Sequence, residues 1–202
     1  KIIDDLASGH IERTEVAGRC LGDLVSKLGD SVLPQIIPVL RSALDDGDEY
    51  TRRGVCVGLT DVISCSTREQ VLKFLEIIVK VVQDALSDDD ETVRKMAAAS
   101  FQRLHAVVGS RAMDEIVPSL MVAMESGEHD ESLRMRALNG LIGISSVRSR
   151  ELLPYIVPRL IARPITVNHA EVLAGVARVT GSTIHFHFAA IIPALLGELS
   201  VI

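Results

Sequence analysis

Aromatic side chains are scarce in this chain: they make up 3% of its 202 residues, and there is no tryptophan. Because apolar residues still make up 48%, a core must be filled mainly by leucine, isoleucine, valine and alanine. Such side chains suit close packing between helices and suit a β-sandwich poorly. The composition therefore predicts an all-α fold.

An excess of positive charge is also lacking, since the formal net charge is -6. Duplex DNA and anionic membranes both favour cationic protein surfaces, so we expect neither DNA nor a membrane as a partner. A local basic patch is still compatible with the net charge. No apolar run reaches the roughly 18 residues that span a bilayer. The N-terminus lacks the pattern of a signal peptide.

Cysteines are few and lack the spacing of a metal site. Cys20, Cys56 and Cys65 form an odd set, which we interpret as free thiols packed as small apolar side chains in a reducing compartment. No histidine or asparagine frames Cys56 or Cys65 as a nucleophile.

Motifs for cofactors and metals are missing as well. There is no Gly-Lys-Ser/Thr phosphate loop, and the acidic run 88–91 lacks the alternating ligands and glycine of a calcium loop. His169, His185 and His187 could suggest a metal cluster, but on a helix a spacing of two residues points the rings of His185 and His187 apart. We therefore expect no catalytic residue, no cofactor and no metal.

A phrase of the form Ile-Ile/Val-Pro-x-Leu recurs along the chain. It is centred on Pro38, Pro118 and Pro158, which are 80 and 40 residues apart, and Ile78 stands where the missing copy belongs. A last copy around Pro193 follows after only 35 residues. Other columns keep the same register, such as Leu21, Asp61, Phe101 and Leu141, in which the aspartate is the polar exception. The sequence is therefore an array of units of about 40 residues.

Each unit is predicted to hold two helices, because its apolar residues follow steps of three and four. Acids such as Asp90 precede the first helix as caps, and Gly109 is a predicted C-cap. A proline inside each second helix predicts a kink or a late helix start. The first helices are predicted at 10–28, 49–65, 91–108, 131–145 and 168–180, and the second at 31–44, 68–86, 112–125, 150–162 and 184–199. Glycines inside the helices indicate close approach of neighbouring helices.

Antiparallel helix pairs at this period are typical of HEAT and armadillo arrays, and two helices per unit favour HEAT. The pattern Asp-Glu-Thr-Val-Arg at 90–94 supports this choice. We predict one α-solenoid segment of about five HEAT-type units, cut from a longer chain at both ends. The predicted units are 10–46, 47–87, 88–127, 128–163 and 164–202.

Basic residues recur at the starts of the first helices and are the candidate partner-binding residues. One interpretation is a ridge that contacts an acidic partner or ribosomal RNA. The other is a structural ladder, in which the arginines pair with turn acids such as Asp46, Asp48, Asp88 and Asp130. The residues are Arg52, Arg53, Arg94, Lys95, Arg134 and Arg136.

Several longer phrases resemble one HEAT-repeat family. Residues 51–59 (TRRGVCVGL), 91–105 (ETVRKMAAASFQRLH) and 149–160 (SRELLPYIVPRL) look like the giant HEAT-repeat protein of the general-control pathway for amino-acid starvation. That family is the ribosome-bound activator of the kinase that phosphorylates translation initiation factor two alpha. The resemblance covers about 50–200 and is thinner before 50, and the linker 162–168 departs from the family's pattern.

The resemblance implies a non-enzymatic, cytoplasmic scaffold in translational control, from the C-terminal half of a very long solenoid. The partners that it implies are the ribosome, the RWD domain of the kinase and an ABC-type ATPase. A generic HEAT adaptor, such as a nuclear transport receptor or a phosphatase scaffold, is the alternative with the same fold. An enzyme is the third, but no constellation of residues supports one.

Overall fold

A computed structural model of the chain describes residues 2–6, 10–126 and 130–199. Within these ranges all regular secondary structure is helical, which confirms the predicted all-α class. The chain packs as two compact units, an N-terminal unit (Lys1–Pro118) and a C-terminal unit (Ser119–Ile202). The α-helices are α1 (Ile2–Leu6), α2 (Ile11–Leu28), α3 (Leu33–Asp46), α4 (Glu49–Cys65), α5 (Arg68–Lys73), α6 (Leu75–Leu86), α7 (Glu91–Val108), α8 (Arg111–Ser126), α9 (Glu131–Leu160), α10 (Val167–Thr180) and α11 (Phe188–Leu199).

Most of these helices lie where the sequence predicted them. α1 lies before the first predicted helix, and three further differences have local causes. The predicted helix 68–86 is broken at Phe74, whose backbone leaves the helical region. The predicted helices 131–145 and 150–162 run together as α9, with a kink at Arg148 (φ -140°, ψ 43°). The last helix starts later than predicted, because Gly181–His187 forms a 3-10 turn. Residues 127–129, between the predicted helices 112–125 and 131–145, lie outside the described residues, and the division into five units stays a prediction.

Helix starts follow the predicted acidic caps. The carboxylate of Asp48 accepts a hydrogen bond from the backbone N–H of Thr51 at 2.8 Å. Asp90 and Asp130 make the equivalent bonds at the starts of α7 and α9. These caps satisfy amide groups that the first helical turn leaves unpaired. At the other end of α7 the predicted C-cap is confirmed: Gly109 has a φ of +70°, which favours glycine.

The prolines lie inside the second helices, so the predicted late helix start is wrong. Pro38 lies within α3, Pro118 within α8 and Pro193 within α11. Each proline lacks the backbone N–H that would donate to the carbonyl one helical turn earlier. Pro38 and Pro193 lie on the exposed side of their helices, where water can bind to a carbonyl that has lost its donor.

First helices pack side by side. In the N-terminal unit α4 lies between α2 and α7, and in the C-terminal unit α9 packs against α10. Gly54 and Gly175 permit the close approach that the sequence predicted: a Cβ atom at Gly54 would lie 2.1 Å from the backbone oxygen of Leu6, and one at Gly175 would lie 2.7 Å from Ile142. The core between the helices is mainly aliphatic, and the ring of Phe101 is fully buried in it.

One described helical stretch, Val167–Glu198, is long and apolar enough to cross a membrane by length and composition alone. The expectation that no stretch reaches this length is therefore corrected, because a span tolerates a few charged residues. A single such stretch is weak evidence, and this one consists of α10, the 3-10 turn and α11. Val172 and Val176 of α10 are buried in the core.

Candidate partner-binding surface

The predicted basic residues of the N-terminal unit point towards the turn that precedes the next helix pair. Arg52 in α4 binds Asp88 through both arms of its guanidinium group, with Nε–Oδ2 and Nη2–Oδ1 distances of 2.7 and 3.1 Å. Arg53 binds Asp90 at 3.1 and 3.2 Å. We call these four residues the arginine ladder, since they join one helix pair to the next.

Burial and charge make the arginine ladder a structural element. The side chains of Arg52 and Asp88 are 25% and 10% exposed, so water screens their interaction only in part. Hydrogen bonds from Arg53 hold the pKa of Asp90 below its ordinary value of 3.8. This lowered pKa means that the pair stabilises the folded chain above about pH 3.8 and stops doing so as the pH falls through the folded-state value.

Arg94 and Lys95 differ from one another although they are neighbours at the start of α7. Arg94 turns back and donates to the backbone oxygens of Asp88 and Asp89 at 2.7 and 2.8 Å, so it closes the turn. Lys95 is 73% exposed and pairs with Glu91, one helical turn before it, which is equally exposed. Because Lys95 is exposed, its ammonium group is accessible to a partner. Exposed pairs of this kind also contribute little to stability, so a partner that displaces Glu91 costs the fold little.

In the C-terminal unit Arg134 repeats the ladder arrangement. It binds Glu171 at the start of α10, and its Nη2 also lies 3.3 Å from Glu131. Its side chain is only 14% exposed, whereas Arg136 on the same helix is exposed.

The structure therefore divides the six predicted partner-binding residues into two groups. Arg52, Arg53, Arg94 and Arg134 are engaged by groups of this chain. Arg52 pairs with Asp88, one of the turn acids named for the ladder. Arg53 and Arg134 pair instead with Asp90 and Glu171, and Arg94 donates to backbone oxygens. The side chain of Asp46, one of the acids named for the ladder, lies outside the described residues. Lys95 and Arg136 are the more exposed members, and partner binding by any of the six stays a prediction.

Sequence reasoning missed that the second helices carry similar contacts. Arg41 in α3 binds Asp84 in α6, and Arg159 in α9 binds both carboxylate oxygens of Glu125 in α8 at 2.8 and 2.9 Å. The separations of 43 and 34 residues are close to the repeat period. A search for opposite charges one period apart could have found both pairs.

Asp61, the polar exception in its column, lies at the contact between α2 and α4. A Cβ atom at Gly18 of α2 would lie 2.4 Å from its carboxylate oxygen, so the carboxylate faces the neighbouring backbone. Burial raises the pKa of Asp61 above its ordinary value of 3.8, and the positive charges of Arg19 and Arg103 act in the opposite direction.

We expect the change Asp61→Asn to stabilise the chain at pH 7 and to have no effect near pH 3. Because the folded chain holds the Asp61 proton more tightly, ionisation reduces stability as the pH rises from the unfolded-state pKa through the folded-state pKa. After allowance for solvent screening, the gain at pH 7 is roughly 0.5 kcal/mol. Urea unfolding at the two pH values measures it, with Asp23→Asn on exposed α2 surface as the control. An equal gain at both pH values would contradict this account.

Cysteines and histidines form no reactive arrangement in the described part of the chain. Cys56 is buried, and burial raises the pKa of its thiol to about 12. Cys20 and Cys65 are exposed, which corrects the expectation that all three are packed inside: Cys20 lies on the outer face of α2, and Cys65 is the last residue of α4. His185 and His187 lie in the 3-10 turn rather than on the predicted helix, and no group of three potential metal ligands occurs among the described residues.

Helix pairs packed side by side, capped by aspartates and joined by arginine–carboxylate pairs, define a HEAT-type α-solenoid. A family profile described as "Stalled ribosome sensor GCN1-like, HEAT repeats" matches residues 152–201. The chain is 37% identical to the eIF-2-alpha kinase activator GCN1 of Dictyostelium discoideum over 96% of its own length. It is 38% identical to the stalled ribosome sensor GCN1 of Homo sapiens over 95%, and 35% identical to the eIF-2-alpha kinase activator GCN1 of Saccharomyces cerevisiae over 98%.

The chain is similar in sequence to one segment of these GCN1 proteins. It spans about 7% of the length of each of these relatives. The similarity extends over nearly the whole chain, including the region before residue 50 in which the sequence resemblance was thinner.

Proposed function

We propose that this chain is a segment of a non-enzymatic scaffold for translational control, which contacts ribosomes in the cytoplasm and contributes to activation of the kinase of translation initiation factor two alpha. The observation that carries the proposal is the 35–38% identity, along nearly the whole chain, to proteins named as stalled ribosome sensors and kinase activators.

A scaffold acts by holding its partners close to one another. In a repeat array each helix pair packs mainly on its neighbours, so a long surface is left for partners. A surface that holds a ribosome and a kinase together raises their effective concentration without any new chemistry. We further propose that the kinase partner binds through its RWD domain and that an ABC-type ATPase is a third partner, and the support for both is the family resemblance of residues 51–59 and 91–105.

The chemistry of the described residues supports a scaffold rather than an enzyme. The charged side chains of the arginine ladder bind one another between helix pairs, and Asp90 also caps α7. The most deeply buried thiol, that of Cys56, is held protonated at neutral pH, and a thiol in this state is a poor nucleophile.

We propose Lys95 and Arg136 as the partner-contacting members of the six predicted basic residues. Both are more exposed than the ladder arginines, so a partner phosphate or carboxylate has better access to them.

We expect the chain to sediment with purified eukaryotic ribosomes through a sucrose cushion at 50 mM salt and less at 200 mM, because contacts to phosphates weaken with salt. Lys95→Glu should reduce the sedimented fraction several-fold. Lys80→Glu is the matched control, since Lys80 is also exposed and paired one turn away with an acid, Asp84. A pull-down with the RWD domain of the kinase runs in parallel. Absence of the chain from the ribosome pellet at both salt concentrations would contradict ribosome contact by this segment.

A further inference from the structure

Charge is distributed unevenly between the two units. The N-terminal unit carries all of the net charge of -6, while the C-terminal unit has seven arginines against seven acids. In the C-terminal unit the sequence has no acid between Glu131 and Glu151, and none between Glu171 and Glu198. These two acid-free stretches contain the kink of α9 and the 3-10 turn after α10.

The kink and the 3-10 turn lie against one another. The hydroxyl of Ser149, next to the kink, donates to the hydroxyl of Thr183 in the turn at 3.4 Å. Arg148 and Arg150 flank Ser149, and Arg178 lies in the last turn of α10, directly before the turn. Three arginines therefore lie next to the kink or the turn along the chain. The acid nearest to the kink, Glu151, is already paired with Arg148 at 3.3 Å.

The turn presents an aromatic ring to solvent. Phe186 is 83% exposed, more than any other large apolar residue among those described. Its neighbours are His185, whose ring packs on Phe188 at 4.9 Å between centroids, and His187. We call Arg148, Arg150, Arg178, His185, Phe186 and His187 the aromatic–basic rim.

A turn between the two helices of a pair is exposed elsewhere in the chain as well. In the N-terminal unit the turn between α4 and α5 belongs to a pair with helices packed on both sides, α2 and α7. Thr67 and Arg68 of that turn are nonetheless exposed. The turn that holds Phe186 and the turn between α4 and α5 are therefore alike in presenting residues to solvent.

We infer that the aromatic–basic rim is a binding site for single-stranded or looped RNA. Unpaired bases stack on exposed aromatic and histidine rings, and arginines beside the ring bind the phosphates of the same strand. The hydroxyls of Ser182 and Thr183 add donors for phosphate oxygens. The choice of RNA among polyanions rests on the proposed function.

Two other partners fit the rim less well. An anionic membrane requires a continuous apolar face beside the basic residues, whereas the turn carries Ser182, Thr183 and two histidines around one phenylalanine. An acidic protein segment would satisfy the arginines but would leave the phenylalanine without a flat partner to stack on.

Fluorescence anisotropy with a labelled, unstructured RNA of about twelve nucleotides, a length within the usual site size of single-strand binders, tests the inference on the 202-residue chain. Phe186→Ala should weaken binding by about 5- to 100-fold, the range for loss of one base–aromatic stack. Arg150→Gln should reduce the slope of log affinity against log salt by about 0.7, as expected for one lost phosphate contact on a single strand.

Matched controls lie in the same unit but away from the rim. Tyr155→Ala removes an aromatic ring that is 46% exposed, and Arg163→Gln removes an arginine that is 61% exposed. Both variants should bind the RNA as the unchanged chain does. Circular dichroism establishes that every variant is folded.

Loss of RNA binding in Phe186→Ala and Arg150→Gln, with binding kept in both controls, would support the rim. No RNA binding by the unchanged chain, equal binding by all variants, or binding only to an acidic peptide or to anionic vesicles would each overturn it. Ribosome sedimentation separates this inference from the proposed function. If the chain sediments with ribosomes but does not bind the RNA, only the inference about the rim is overturned. If the chain binds the RNA through Phe186 but does not sediment with ribosomes, only the proposed function is overturned.

Discussion

Replacing Phe101 by alanine is expected to lower the free energy of unfolding by about 3–5 kcal/mol, the range for loss of a fully buried phenylalanine. Phe101 lies in α7 with none of its surface exposed, and it is the largest fully buried side chain among the described residues. Truncation leaves a cavity that rigid helices on both sides cannot close. Because repeat arrays gain stability from each unit and its neighbours, the loss should appear first in the N-terminal unit.

Urea unfolding followed by far-UV circular dichroism measures this change, and Phe186→Ala is the matched control. Phe186 is 83% exposed, so its truncation should change the free energy of unfolding by no more than about 0.5 kcal/mol. A loss below about 1 kcal/mol for Phe101→Ala would mean that the site collapses around the cavity and that the core is not rigid.

Removing the Asp88 carboxylate is expected to cost about 2–3 kcal/mol, because the change leaves the Arg52 guanidinium partly buried without its charged partner. Asp88 also accepts a hydrogen bond from the backbone N–H of Asp90 at 2.8 Å, so the single change includes the loss of a turn contact. A double-mutant cycle with Arg52→Ala and Asp88→Ala separates the energy of the Arg52–Asp88 pair from the energy of this turn contact, because the turn contact is lost with and without Arg52. We expect a coupling energy of roughly 1–2 kcal/mol.

The pair Arg19–Glu15 is the control for this cycle. Its side chains are 70% and 58% exposed at an N–O distance of 3.3 Å, so its coupling should lie below about 0.5 kcal/mol and should fall in high salt. A coupling for Arg52 and Asp88 as small as that of the control would show that the ladder is solvated and does not hold the helix pairs together.

The Arg52–Asp88 result also decides how binding experiments are interpreted. Reversing the charge of Arg52 or Arg53 would place a carboxylate against Asp88 or Asp90 and would loosen the contact between two helix pairs. Loss of ribosome binding in such a variant would then report a damaged fold. Lys95 is the better probe, because its removal takes away only an exposed pair within one helix.

Periodicity accounts for how much of the fold could be predicted. Steps of three and four residues fix which face of a helix is buried, so the bounds of α4 and α7 agree with the predicted 49–65 and 91–108. The misplaced start of α11 has a different origin. Whether residues 181–187 form an α-helix or a 3-10 turn depends on Gly181, with its φ of +54°, and on packing against α9, and neither is visible as a period.

The sequence by itself determined the helical class, the period of about 40 residues and the aspartate caps, because each of these depends on local residue types and their spacing. Only the tertiary structure decided what the basic residues do. Whether Arg52 faces a partner or Asp88, 36 residues further on, depends on how two helix pairs stack. The same stacking buries Phe101 and leaves Phe186 in solvent, although both are phenylalanines in helical segments, because burial is set by the neighbouring elements and not by residue type.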